Sequence, residues 1–162
     1  MTKSLWPKKI EFSDKERPPV SILREQATYL GEKTQNLVTA EVVPLAGHVD
    51  NSLYDTAQSM AATALGSQKR TLKKDHFYDI FYLVAPVLNN YRFELFVTVH
   101  KIDQFYPIEI HSDTLDISGR ELNSQDELLN ELANIFSHPK TIKIIESMRV
   151  QSGWSHQEKV PS

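Results

Sequence analysis

Between His76 and Asp113 polar and apolar residues alternate through three successive runs separated by short polar breaks. That period of two is the signature of antiparallel strands. In the first run Tyr78, Ile80, Tyr82 and Val84 share a face, and in the second Tyr91, Phe93, Leu95, Val97 and Val99 do. Asn89 and Asn90 tolerate the positive φ of a tight turn, which predicts Val84 opposite Leu95, Tyr82 opposite Val97 and Ile80 opposite Val99. A second turn through Lys101 to Gln104 predicts Val99 opposite Tyr106, Val97 opposite Ile108 and Leu95 opposite Ile110. One continuous core face from Tyr78 to Ile110 results. On the other face Arg92 then meets Asp113, Glu94 meets His111 and Asp79 meets His100, as cross-strand partners. Phe81, Leu83 and Phe96 fall among these polar pairs and require cover from a helix, from the N-terminal arm or from another protein. The chain's own helices are the simplest cover.

Around this meander the pattern changes to a helical period. Val20, Leu23, Ala27 and Leu30, widened by Ile22 and Tyr29, predict an amphipathic helix from Pro19 to about Lys33, with Gly31 weakening its last turn. LVTAEVV, residues 37–43, is β-branched and closed by Pro44, so a strand is expected there, paired with either edge of the meander. Ser124 with Glu127 three residues on forms a capping box ahead of Leu128, Leu129, Leu132, Ile135 and Phe136. Pro139 ends that helix and opens a second, with Ile142, Ile145 and Met148 inward. The expected class is α+β: one N-terminal helix, a mainly antiparallel sheet of about four strands, and two C-terminal helices packed on it.

The 162-residue length suits one domain, read as residues 19–150, between an extended arm at 1–18 and a tail at 151–162. Residues 45–75 read as an insertion, either a loop or a short helix through Leu53, Ala57, Met60, Ala61 and Ala64. With 40% hydrophobic and 24% charged residues the composition is that of a globular protein, and no apolar run has the length of a membrane span. Charges scattered through the first residues leave no room for the apolar stretch of a signal peptide, so a cytoplasmic location is expected. There is no cysteine, which removes disulfides, thiol catalysis and cysteine-ligated metals. Net charge is −3, and residues 76–162 carry 7 basic against 12 acidic side chains, a balance unlike that of a nucleic-acid-binding surface.

Candidate chemistry is sparse. Neither GxGxxG nor GxxxxGK[ST] occurs, nor does GxSxG or HxxxH. No cofactor is expected. Glu94, Glu109 and His111 could serve a metal-assisted hydrolase, but three convergent ligands and a supporting shell are not promised by an open sheet face. Lys69, Arg70, Lys73 and Lys74 offer four cations within six positions, an alternative nucleic-acid site that lacks interleaved aromatics. The first reading is therefore a non-enzymatic protein-binding component, an accessory, adaptor or inhibitor-type subunit. Its partner would be another protein or a second copy, met through Phe81, Leu83 and Phe96 on the sheet, Trp6 in the arm and Trp154 in the tail.

Overall fold

A computed structural model describes residues 2–10, 16–46, 73 and 75–158. Its elements in chain order are α1 (Pro19–Lys33), β1 (Thr39–Ala46), β2 (His76–Ala85), a 3-10 turn (Pro86–Leu88), β3 (Tyr91–Lys101), β4 (Ile108–Ser112), β5 (Ile117–Leu122), α2 (Gln125–Ser137) and α3 (Pro139–Glu158). Among the described residues the fold is α+β, with a five-stranded antiparallel sheet in the order β1-β2-β3-β4-β5 and all three helices on one of its faces. Residues 47–72, the greater part of the expected insertion, lie outside the described residues.

The helix boundaries follow the local signals. Pro18 and Pro19 open α1, since proline fits where the first turn has no use for an N–H. Thr34, buried, closes it by accepting the Val38 N–H at 3.2 Å on its hydroxyl. Gly31 is held there by space: a Cβ would stand 2.9 Å from Asn36 Oδ1, while its carbonyl accepts the Asn36 N–H at 2.9 Å. At α2 the capping box forms, with Glu127 N–H donating to Ser124 Oγ at 3.2 Å and the Glu127 carboxylate accepting the Asn123 N–H at 2.6 Å. Pro139 then starts α3.

The meander departs from its expected register. Tyr78 pairs with Val99 and Ile80 with Val97, but Phe81 pairs with Phe96 and Tyr82 with Glu94, so Leu95 is an extra residue in β3. Asn89 and Asn90 do adopt φ of 59° and 56°, yet the turn begins at Pro86 and is longer than two residues. The β3–β4 connection is also longer than expected, and Val97 pairs with His111, Thr98 with Ile110 and Val99 with Glu109. An odd displacement exchanges the faces of β4. The bulge meanwhile lets Leu95 and Phe96 both join the helix side.

Consequently the main core lies on the face expected to be polar. Phe81, Leu83, Leu95, Phe96, Ile108 and Ile110 pack there against Ile22 and Leu23 of α1, Leu128, Leu132 and Ile135 of α2 and Met148 of α3. Tyr78, Ile80, Val97 and Val99 form a smaller cluster on the reverse side. The expected pair of Asp79 with His100 gives way to Asp79 opposite Thr98, that of Glu94 with His111 to Val97 opposite His111, and Arg92, expected against Asp113, makes an ion pair with Glu41 of β1. β1 pairs with β2 and extends to Ala46, three residues beyond its expected end at Val43. β5 has no marked alternation, and Gly119 within it adopts φ +67° against the His111 ring.

Candidate functional site

The helix layer over the sheet has a gap. α1 and α2 start together, where Arg17 makes a 2.7 Å ion pair with Glu25 of α1 and donates its backbone N–H to Gln125 Oε1 at 3.3 Å. Further along, the C-terminal halves of the two helices and the first turns of α3 bound an apolar groove of about 470 Å³. Phe81 and Leu83 of β2 form its floor, Leu30, Phe136, Ile142 and Ile145 its walls, and Gln26, Tyr29, Lys33 and Ser137 its polar rim.

The floor is rigid by construction. Phe81 stacks on Phe96 at 4.9 Å with the rings 11° from parallel, and Phe136 leans on both at 5.4 and 6.2 Å. Offset stacks and tilted contacts are the favourable arrangements of aromatic quadrupoles. The wall is looser and more exposed: Tyr29 is 43% and Ile142 52% accessible. Ile142 was expected inward; instead, among the described side chains of α3, Thr141, Met148 and Ser152 are buried, and Ile142 lines the groove. Leu129, also expected in the core, is 39% accessible.

Of the residues singled out from sequence as partner contacts, Phe81, Leu83 and Phe96 are each 1% exposed, beneath the protein's own helices. Phe81 and Leu83 nevertheless meet the groove from below, while Phe96 is wholly interior. Trp6 is 78% exposed in the arm, and Leu5 and Ile10 are also exposed, at 96% and 57%. Trp154 lies within the last turns of α3. Lys69, Arg70 and Lys74 fall outside the described residues, and Lys73 donates its backbone N–H to the Tyr78 hydroxyl at 2.6 Å.

On the reverse face Glu109 and His111 are neighbours, Oε2 to Nε2 3.2 Å. Glu94 sits across from Tyr82 beyond the bulge, and among the described residues no three histidine or carboxylate side chains gather as a metal site would require. Arg92 pairs with Glu41 at 2.6 Å and lies over the Tyr82 ring, 5.7 Å from its centroid. These contacts tie β1, β2 and β3 together on a partly solvated face.

One buried polar group faces the helix side near α1. Asp79 is 3% exposed, and burial holds its carboxyl above the usual carboxylate range against the opposing pull of His100 and Arg24. His100 donates from Nδ1 to the Lys101 and Gln104 carbonyls at 2.8 and 3.2 Å, fixing its ring against the β3–β4 loop. In that loop burial pushes the Tyr106 hydroxyl up to about 12. Neither group lines the groove, so they bear on stability.

A second, shallower trough of about 740 Å³ runs between the start of β3 and α3, with Leu88, Tyr91, Phe93 and Ile144 below Lys140 and Lys143. Sequence reading had no access to either groove, since each is made by elements distant in the chain. The visible signs were Phe81 and Leu83, apolar positions on the face expected to be polar, which form the floor of the first groove. Among the described residues no helix is long and apolar enough to cross a membrane. Comparison with models of protein families, with curated proteins and with solved structures gives no match to this chain.

Proposed function

We propose that this protein is a non-enzymatic protein-binding component that takes an apolar segment of another protein into the groove between α1 and α2–α3. The observation carrying this reading is the groove itself: an aromatic floor fixed by the sheet, aliphatic walls, and a rim of side chains able to hydrogen-bond a peptide backbone. An apolar element laid there gains roughly 25 cal/mol for each Å² it removes from water. A preorganised floor lowers the ordering cost on the protein's side. The sheet edges support the reading less well, because Pro44 interrupts the donor row of β1 and Gly119 bends β5.

The test is affinity capture from the native extract with wild-type protein and with Tyr29→Glu and Ile142→Lys, both at exposed wall or rim positions. A specific partner should be retained by the wild type and by Val150→Lys, a control outside the groove, and lost from both groove variants. A strictly monomeric protein that retains no partner, or a partner indifferent to both groove variants, overturns the proposal.

A further inference from the structure

We infer that the trough between the start of β3 and α3 is a second docking surface, independent of the groove, and that its occupant is an acidic peptide segment of another protein with apolar side chains beside its carboxylates. The floor is apolar. Leu88, Phe93 and Ile144 are half-buried, Tyr91 is 53% accessible, and Met148 closes the bottom. Apolar surface gathered in one place marks a contact site, where single exposed side chains would not. The two surfaces lie on opposite sides of α3, with Ile142 and Ile145 lining the groove and Ile144 and Met148 the trough.

Charge selects the occupant. Lys140 and Lys143 stand exposed above the floor; among the described residues neither makes an ion pair, and no Asp or Glu lines the trough. The arginines are treated differently, since Arg17, Arg92, Arg120 and Arg149 are each held by a glutamate. Two uncommitted cations over an apolar floor are the more telling in a chain whose 21 acidic residues outnumber 18 Lys and Arg. Lys140 also stands in the first turn of α3, where no acidic residue accompanies it and the helix dipole favours an anion. Carboxylates meeting Lys140 and Lys143 would leave neighbouring apolar side chains over Phe93 and Ile144, with Ser147 and Gln151 placed to hydrogen-bond the peptide backbone. A nucleic-acid strand would bring a phosphate with every nucleotide to only two lysines. A lipid's acyl chain would stay largely wet in so shallow a trough.

A phage-displayed library of random peptides about a dozen residues long supplies the probe. Selection on the wild-type protein should enrich sequences with Asp or Glu next to Phe, Leu, Met or Trp. A selected peptide, measured by fluorescence anisotropy, should bind about tenfold more weakly to Lys140→Glu/Lys143→Glu and to Tyr91→Ser, and should weaken severalfold as salt rises from about 50 to about 500 mM. The milder pair Lys140→Gln/Lys143→Gln should fall between wild type and the charge reversal, and Lys101→Glu, at the opposite end of β3, should bind as wild type does. Absence of enrichment, enrichment of neutral or basic peptides, or binding indifferent to the lysine pair overturns the inference. So does lysine-dependent binding of oligo-dT or of phosphatidylserine vesicles when no acidic peptide is enriched. The groove is read separately: a peptide lost from Tyr29→Glu but kept by Lys140→Glu/Lys143→Glu sits in the groove, which overturns the trough and leaves the groove standing.

Discussion

Phe81 was singled out from sequence because it stood on the wrong face of a strand, and its environment explains why it is there. Its ring is shared among Phe96, Phe136 and the groove floor, so truncation leaves a cavity the neighbouring rings cannot fill. Phe81→Ala should cost about 3–5 kcal/mol, read from urea denaturation. Asp79 predicts the opposite sign. Its folded pKa lies above its unfolded one, so the stability it contributes is complete below the unfolded carboxyl pKa and is lost as pH rises through the folded value. Asp79→Asn should therefore be more stable than wild type at neutral pH, with the advantage shrinking as pH falls towards 4, a trend that denaturation at several pH values would reveal; a gap that widens on acidification would contradict it.

At the scale of elements, the helices are where sequence was most legible. α1 begins and ends at the expected residues because Pro18-Pro19 and the polar run after Lys33 act locally. The capping box at Ser124 is likewise local. Ser124→Ala should lower stability by ~1 kcal/mol in thermal unfolding, with α2 fraying first in hydrogen exchange. The strands were legible as strands but not as a register, since a register depends on how many residues each turn consumes. The extra Leu95 and the longer loop before β4 are invisible to alternation, which reads equally well in either phase. The expected polar face thus became the core, and the histidine and carboxylate pairs assigned to it dissolved. One tie between elements is testable: Arg120 of β5 binds the buried Glu131 of α2. Arg120→Ala strands that carboxylate and should cost roughly 1–3 kcal/mol, reduced by the exposure of Arg120 itself, while the further change Glu131→Gln should recover part of the loss.

For the whole molecule, the α+β class, and the three helices and single sheet of the described residues, were readable because each depends on period and order along the chain. The groove was not. It belongs to the space left between α1 and α2–α3, and its walls come from residues more than a hundred positions apart. Pattern reading marked Phe81 and Leu83 as unexplained apolar positions; it could not say that the protein's own helices nearly close over them. Variants at Tyr29 and Ile142 separate surface from core at this scale. Because both side chains are substantially exposed, Tyr29→Glu and Ile142→Lys should each change stability by less than about 0.5 kcal/mol in urea denaturation while abolishing groove-dependent binding.

The extra residue at Leu95 works as a phase shifter in the strand. On one side of it outward positions carry Val97 and Val99, and on the other Glu94 and Arg92, so the same face changes from greasy to ionic within one residue. Delete that residue and the ladder becomes regular with Glu94 still opposite Tyr82 and Arg92 still opposite Val84, so the faces are kept and only the buried Leu95 side chain is lost. The deletion should therefore keep its near-ultraviolet circular dichroism and lose about 2–5 kcal/mol in urea denaturation, the cost of an emptied leucine site; loss of the near-ultraviolet signal would contradict it. A sequence sharing this sheet would align with it only when one unpaired position is allowed there.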